Sequence, residues 1–312
     1  MASIAAVGTT QNNPNYLGMV FATGQNARPF TTMLGGLGGA KPVNAWNFPL
    51  NSNYTLDPAS QPSISEDDSV TGAAVSTYAR SQDENAIQIF QRKVSLSYAN
   101  QSDVSTLAGV PNWQGLNEVT DKESEQIAIN LEQLGNDLEY TLLNGTYVKK
   151  TASNVASQTR GMLEACTSNA IDAGAVALTS TIMDSLTKSM ADNGAQLSNG
   201  SCVIFANSTQ KIAITEAYKL AERSTSFGGV NVENVITNFG ILPVVYTPQM
   251  PQDEILIADM SLVSLSVLPY NGQALVVEEL AKVGAADTMQ MYLQAGLEYG
   301  IESRHGKITN LA

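Results

Sequence analysis

Residues 120–145 read TDKESEQIAINLEQLGNDLEYTLLNG, and most of the fold prediction rests on this stretch. Its apolar residues recur every three or four positions, which is the spacing of a helix that buries one face; they are Ile127, Leu131, Leu134, Leu138 and Leu142. Polar residues, Glu139 among them, occupy the other side. Thr120 and Glu123 form a capping box at the start, and Asn144-Gly145 ends the helix because both residues tolerate a left-handed backbone. The pattern predicts one helix, about 36 Å long at 1.5 Å per residue, laid as a strut across a sheet.

The two segments before this helix are poor in core-forming patterns. Residues 1–50 are dominated by Asn, Gly, Thr and Pro; a glycine-rich arm has much backbone entropy to lose and becomes ordered mainly against a neighbour. Residues 47–80 carry no Lys or Arg before Arg80 and predict a long projecting loop or loose hairpin, a kind of segment that usually makes contacts. Its carboxylates Glu66, Asp67 and Asp68 lack the spacing of a calcium loop, which favours a solvated loop tip.

The remaining chain mixes helices and strands. Residues 87–98 alternate like a strand, but the parity shifts near Phe90, which indicates a bulge or a face covered on both sides. A helix is predicted at 180–192, a buried strand at 202–206, and a helix from the Asn207-Ser208 cap to about Arg223. Short strands follow at 232–236, 241–246, 255–258, 262–268 and 274–280, and residues 288–300 are strand or helix. The sum is an α+β fold with segregated elements.

Composition narrows the function classes. The 312 residues include 16 basic and 29 acidic side chains, a net charge of 16 − 29 = −13, and only 14% are charged, against about 25% in typical domains. A surface with few charges loses little desolvation energy when it meets another protein. No apolar run reaches membrane-span length, no basic residue precedes Arg28 as a secretory signal requires, and the acidic balance disfavours sequence-reading DNA contacts.

Catalytic, cofactor and metal motifs are weak throughout. His305 is the single histidine, and we expect a structural role for it, although a Cys166–His305 pair stays open. Cys202 opens an apolar run and predicts a small buried side chain, so the two cysteines make no disulfide framework. Neither Gly36-x-Gly38 nor Gly306-Lys307 completes a phosphate loop, and Trp46 and Trp113 are typical packing anchors. We predict no catalytic, cofactor-binding or metal-binding residue and no enzyme activity.

The order of these parts resembles the major capsid proteins of tailed bacteriophages. The closer likeness is to a major head protein family, in the right order from about residue 85 to the C-terminus. The matching stretches are Ser124-Glu125-Gln126, Asp137-Leu138-Glu139, Leu143-Asn144-Gly145, Thr159-Arg160-Gly161-Met162, Phe239-Gly240, Leu242-Pro243-Val244-Val245, Met250-Pro251, Ile255-Leu256-Ile257-Ala258-Asp259, Leu280-Ala281-Lys282, Leu297-Glu298 and His305-Gly306-Lys307-Ile308.

The resemblance implies the Hong Kong 97-type capsid fold. An N-terminal arm (1–46) and an extended loop (47–82) precede the first part of a peripheral domain (83–164), which holds the spine helix (121–144) against the 87–98 strand and C-terminal strands. An axial domain (about 165–260) points toward the centre of each hexamer or pentamer. Residues 261–312 return to the peripheral domain, where His305 is structural.

The same resemblance implies the function. The chain is identified as a major capsid protein, located in the virion and assembled in the host cytoplasm, that self-assembles as hexamers and pentamers into an icosahedral head around double-stranded DNA without sequence-specific binding. Portal, scaffold and cement or decoration proteins are further implied partners, and there is no membrane. An encapsulin-like nanocompartment with an enzyme cargo and a tail tube subunit are the alternatives. Some relatives join subunits by a lysine–asparagine isopeptide bond. The loop has no lysine between Lys41 and Arg80, which predicts a shell held by noncovalent contacts or by cement proteins.

Overall fold

The computed structural model describes residues 27–72, 75, 77–99, 122–219 and 234–312. Its helices over these residues are α1 (Pro29–Met33), α2 (Glu66–Thr71), α3 (Lys122–Asn144), α4 (Met162–Ala165), α5 (Ser180–Asp192) and α6 (Ser208–Lys219). Its strands are β1 (Lys41–Pro42), β2 (Asn47–Asn53), β3 (Ser81–Ala86), β4 (Gln88–Ser97), β5 (Ala170–Val176), β6 (Cys202–Ala206), β7 (Asn234–Thr237), β8 (Gly240–Tyr246), β9 (Ile255–Asp259), β10 (Ser264–Val267), β11 (Leu275–Glu279), β12 (Ala286–Glu298) and β13 (Gly306–Leu311).

The long helix α3 is the predicted strut. Leu134, Leu138 and Leu142 are buried in the larger of two cores. The predicted cap residue Thr120 lies outside the described residues. The helix ends at Asn144 as expected, but the reason was wrong, because neither Asn144 nor Gly145 has a positive φ. Glycine is required for space instead, since a Cβ at Gly145 would lie 2.5 Å from the carbonyl oxygens of Thr141 and Thr159.

The strut lies against a five-stranded sheet centred on β12. The strand order is β1-β10-β12-β11. Strand β4 pairs, over the whole length of β4, with the other edge of β12. The ambiguous run at 288–300 is therefore a strand, and at 13 residues it pairs with three neighbours. The helix alternative fails because these cross-strand partners bury alternate residues such as Met291 and Leu293 completely.

A six-stranded sheet in the order β5-β13-β9-β6-β8-β7 separates the two cores. Val203 and Phe205 of β6 face the larger core, whereas Cys202, Ile204 and Ala206 face the smaller one. Strand β9 divides its side chains in the same way. A strand covered on both faces is apolar without alternation, which explains the continuous apolar runs of the sequence. The last strand, β13, belongs to this sheet and not to the one that contains β4.

The parity shift near Phe90 has a cause other than the two proposed. Strands β3 and β4 are separated only by Ile87; β3 pairs with β2, and β4 pairs with β12 without a register shift. A bulge within β4 and a doubly covered face are both wrong, because Ile89 is exposed while Phe90 is buried. The chain changes sheets at this point, and alternation restarts in the new strand.

The expectation that residues 1–50 lack a core role is wrong for residues 28–50. Phe30 is completely buried, and Phe48 and Leu50 also lie in the larger core. Strand β1 pairs parallel with β10, so the segment supplies an edge strand of the five-stranded sheet. Sequence composition missed this because single apolar residues, spaced among glycines, form these contacts.

The middle of the chain follows the prediction closely. Helix α5 buries Met183, Leu186 and Met190 and stops at Gly194, whose φ of 85° suits glycine. The amide of Gln210 donates to Oδ1 of Asn207 at 2.9 Å, so Asn207 caps α6 as expected. The predicted end of this helix at Arg223 lies outside the described residues. Both cores contain residues of helices and of strands, and the helices are not interleaved with the strands in a regular repeat. The fold is therefore α+β.

Candidate assembly surface

The tip of the β2–β3 hairpin is residues 54–80, and those of its residues that the structure describes (54–72, 75 and 77–80) are all exposed to solvent. Its exposed apolar residues are 49–93% accessible; they are Tyr54, Leu56, Ile64, Val70, Val75 and Tyr78. When another surface covers apolar groups this exposed, the free energy of the system falls. The tip therefore has the chemistry of a contact surface.

The acidic group of the tip is the first turn of a helix. Oγ of Ser65 accepts from the amide of Asp68 at 3.1 Å, and Oδ2 of Asp68 accepts from the amide of Ser65 at 3.3 Å. This reciprocal capping box starts α2. The hydrogen bonds from Ser65 lower the pKa of Asp68. The predicted solvent exposure of Glu66, Asp67 and Asp68 is confirmed. The capping box holds them in a helical turn.

The base of the hairpin is fixed by a polar cluster. Oδ2 of Asp83 accepts from Nη1 of Arg160 at 2.8 Å and from the hydroxyl of Tyr299 at 2.6 Å. Nη1 of Arg160 also donates to the Tyr299 hydroxyl at 2.8 Å. Burial alone would raise the pKa of Asp83, but the hydrogen bonds, that from Tyr299 first, outweigh it and lower the pKa. Burial and the Asp83 contact raise the pKa of Tyr299.

A buried amide completes this anchor. Asn85 on β3 is inaccessible to solvent, and its Nδ2 donates to the carbonyl of Leu297 at 2.7 Å. Its Oδ1 accepts from the amide of Arg160 at 2.8 Å. The hairpin therefore leaves the five-stranded sheet from a rigid base, and its free tip is held away from the chain's own core. Such an arrangement presents a surface to a second molecule.

A second apolar surface lies at the far end of the six-stranded sheet. Ile236 of β7 and Ile241 of β8 are register partners, and they are 73% and 56% exposed. Phe239 lies in the turn between them and is partly exposed. The sequence predicted strands at 232–236 and 241–246 but not this surface, because only the sheet order shows that β7 is the last strand of the sheet among the described residues.

Comparison with known proteins gives these surfaces their context. The family model of the SU10 major capsid protein matches residues 3–312. The chain belongs to this family. A sequence search of curated proteins gave no match. The family that the chain belongs to is one of structural capsid proteins and not of enzymes.

Solved structures share the fold of this capsid protein at low identity. The capsid of the native GTA particle is 13% identical with a TM-score of 0.65, and the match covers 99% of this chain and 98% of that one. The capsid of cyanophage A-1(L) is 10% identical with a TM-score of 0.64 and 95% of each chain covered. The SrpI encapsulin of Synechococcus elongatus PCC 7942 is 14% identical with a TM-score of 0.55, covering 94% and 92%. The expected Hong Kong 97-type fold is confirmed.

The open alternative of a Cys166–His305 pair is wrong. His305 is fully buried; its Nδ1 accepts from the amide of Asp259 at 3.1 Å, so Nε2 carries the proton, which it donates to the carbonyl of Tyr299 at 2.7 Å. Burial lowers the pKa of the imidazole. Both ring nitrogens are therefore used by the backbone. Cys166 is a free, buried thiol, and burial raises its pKa to about 12. Cys202 is likewise buried, as predicted.

The remaining sequence candidates are packing residues in the capsid protein. Gly36–Gly39 forms a 3₁₀ turn, and Nζ of Lys41 pairs with Oε2 of Glu298 at 2.9 Å. A Cβ at Gly306 would lie 2.8 Å from Leu186 and Met190, so this glycine serves close packing. Trp46 lies under the ammonium of Lys150, 3.5 Å from the ring centroid, and Trp113 lies outside the described residues.

The described part of the chain (27–72, 75, 77–99, 122–219 and 234–312) bears on two further kinds of site. No helix there combines the length and the apolar character that a bilayer span needs. Within the same residues, no group of three or more His, Cys, Asp and Glu side chains is arranged to hold a metal ion.

Sequence analysis also misplaced Glu139. It was assigned to the polar side of the spine helix, yet it is completely buried. Its carboxylate accepts from the amides of Phe30 and Thr31 at 2.9 and 2.7 Å. The one available signal was Gly135, an unfavourable residue in the middle of a helix, which indicates that another chain segment passes close by.

Glu302 provides a pH-dependent contribution to stability. Its carboxylate accepts from the amides of Thr167 and Ser168 at 3.2 and 3.0 Å. Burial alone would raise its pKa, but the hydrogen bond from the Ser168 hydroxyl first, and then those from the Ser168 and Thr167 amides, lower the pKa overall. A carboxylate with a lowered folded-state pKa stabilises the fold above its unfolded pKa, and this contribution disappears as the pH falls through the folded value.

Glu302→Gln is therefore expected to lower the free energy of unfolding at pH 7 by about 1 kcal/mol. The difference from wild type should vanish at a pH below both pKa values of Glu302. Urea unfolding at descending pH measures it. The exposed Glu216→Gln on α6 is the control and should show no such trend. An equal loss at every pH would contradict the assignment of this charge effect to Glu302.

Proposed function

We propose that this capsid protein self-assembles as hexamers and pentamers into a closed icosahedral head that encloses double-stranded DNA. The observation that carries the proposal is the anchored hairpin with its solvent-exposed apolar tip, in a chain matched by a capsid family model over residues 3–312. Closed shells arise when one surface repeats by rotation and the contacts close. The hairpin tip supplies such a surface, and the Ile236–Ile241 pair supplies a second.

The proposal divides the chain as the resemblance implies. Residues 1–46 are an N-terminal arm and residues 47–82 are the loop that lies over a neighbour. The axial domain, about 165–260, contributes the Ile236–Ile241 surface to contacts near the capsomer centre. The peripheral domain combines 83–164 with 261–312. Most of the larger core supports this peripheral body, and the smaller core, built on α5, supports the axial one, although β13 of the C-terminal range also contributes to that smaller core.

Electron microscopy of the purified protein tests the proposal. Closed shells of uniform diameter are the expected result. Helical tubes would favour a tail tube subunit, and a monodisperse monomer at every concentration would overturn the proposal. The net charge of −13 supports a wall that contacts packaged DNA without holding its phosphates. Assembly in the host cytoplasm, with portal, scaffold and decoration proteins as further partners, belongs to the same proposal.

A nanocompartment shell is the second candidate, because the SrpI encapsulin shares the fold over 94% of this chain. The content of particles purified from their natural source separates the two functions. Double-stranded DNA inside the particles supports the capsid, and a protein cargo without DNA supports the compartment.

The shell is held together without covalent bonds between subunits. No lysine lies between Lys41 and Arg80, so the hairpin tip carries no amine for an isopeptide bond. Purified shells, boiled in denaturant and run on a denaturing gel, should give one band at the 33.1 kDa subunit mass. A ladder of higher multiples in the presence of reductant would contradict this.

A further inference from the structure

The segment Arg28–Val43, called the strap here, binds the middle of the spine helix. The amides of Phe30 and Thr31 donate to the two carboxylate oxygens of Glu139, at 2.9 and 2.7 Å. The hydroxyl of Thr247 donates to Oε1 of the same carboxylate at 3.3 Å. Glu139 is completely buried, so the loss of these donors would leave a desolvated charge.

Gly135 makes room for the strap one turn before Glu139. A Cβ at this position would lie 2.1 Å from Nη1 of Arg28 and 3.3 Å from its Cδ. The same guanidinium donates to the carbonyl of Glu132 at 3.2 Å. Glycine weakens the interior of a helix, so its presence here is explained by the side chain that crosses it.

The strap also touches the six-stranded sheet. The ring of Phe30 packs edge-on against Phe205 of β6, with centroids 5.2 Å apart and planes at 77°. Both rings are completely buried. Thr247 follows β8 directly and reaches the same carboxylate. One short segment therefore contacts both α3 and the sheet that separates the two cores.

We propose that Gly135, Glu139, Thr247 and the Glu132 carbonyl form a binding slot for the Arg28–Thr31 segment, and that the docked strap latches α3 to the six-stranded sheet. The slot recognises an arginine that precedes Pro-Phe-Thr through one guanidinium, two backbone amides and one aromatic ring. All these partners lie more than 100 residues from the strap in sequence. After Thr31 the strap runs on to β1, which pairs with β10, so the Arg28–Thr31 segment can leave the slot while the far end of the strap stays in the five-stranded sheet.

Gly135→Ala is the discriminating variant, because its two effects have opposite signs. Alanine strengthens the helix, whereas its methyl group would lie 2.1 Å from Nη1 of Arg28 and displace that guanidinium from the Glu132 carbonyl. Hydrogen exchange of the full-length subunit, followed by mass spectrometry, should show the amides of residues 30 and 31 exchanging about threefold faster, because the variant loses the contact that the Arg28 side chain makes. The amides of α3 should exchange no faster than in wild type. Unchanged exchange in the strap would overturn the slot.

Two further variants keep the test decisive. Arg28→Ala removes a partly exposed side chain and should accelerate strap exchange about threefold with the fold intact. Gly38→Ala adds the same methyl group within the strap, where nothing lies within 4 Å of the new Cβ, and should change nothing. If Gly38→Ala accelerates exchange as much as Gly135→Ala, the strap responds to any added methyl and the slot is refuted.

The consequence for assembly rests on the proposed function. Subunits with an open latch should form shells of mixed diameter, since the angle between α3 and the sheet is no longer fixed. Uniform shells from Gly135→Ala, together with fast strap exchange, would refute this consequence. Failure of the wild-type protein to form shells would refute the proposed function instead, while the exchange result on the subunit still decides the slot.

Discussion

A chain in which Asn-Gly replaces residues 54–80 should remain folded and form no closed shells. Asn53 and Ser81 are register partners at the end of the β2–β3 ladder. A two-residue Asn-Gly connection closes such a ladder with a turn whose twist matches the strands. The deletion therefore removes the hairpin tip and leaves its anchored base unchanged.

The reason for this separation of fold and assembly is the exposure of the tip. Its apolar residues are 49–93% accessible in the subunit, and they lie outside both hydrophobic cores. Their removal should not destabilise the subunit by more than about 0.5 kcal/mol, because the shorter connection also lowers the entropy cost of closing the ladder. In a shell the same residues become covered, and their loss removes a contact from every subunit at once.

Denaturant unfolding and electron microscopy of the same preparation measure the two effects. A second variant, with Ser in place of the six exposed apolar residues, keeps the length of the tip and removes its apolar contacts. Both variants should fold and fail to assemble. Uniform shells from the shortened chain would show that the tip is dispensable and that another surface closes the shell.

Leu142→Ala should destabilise the subunit by about 2–5 kcal/mol, the range for large-to-small changes in a packed core. Leu142 is completely buried in the larger core near the end of α3. Its removal leaves a cavity between the spine helix and the elements packed on it, and a protein of ordinary stability tolerates few such losses.

Ile129→Ala on the same helix is the matched control. Ile129 is 45% exposed, and alanine is the stronger helix former, so its effect should stay within about 0.5 kcal/mol of zero. Thermal and urea unfolding of both variants give the comparison. Equal destabilisation would mean that α3 has no buried face and would contradict the strut.

The parts of the fold that sequence predicts are those with a local period. The apolar spacing of Leu134, Leu138 and Leu142 gave the spine helix, and the run at 202–206 gave β6, because in each case the pattern is contained within one element. The hairpin tip was also predicted from sequence. A long stretch without Lys or Arg and without a regular apolar pattern has few side chains that could form a core.

The parts that sequence missed depend on partners far along the chain. Gly135 indicates that some segment passes close to the helix near Glu139, but nothing nearby in the sequence identifies that segment as the strap from position 30. The same holds for Ile236 and Ile241, whose exposure follows from the position of β7 at the end of the sheet. Such features are fixed by tertiary packing, which overrides the local preference of each segment.

The sheet that separates the two cores also determines how the subunit melts. Strands β6 and β9 give alternate side chains to each side, so neither hydrophobic body can lose its order while the other keeps an intact boundary. Cooperative units of this kind open together. Calorimetry of the isolated subunit should accordingly record a single heat-absorption peak. In a particle wall, each subunit should likewise unfold as a whole under internal pressure.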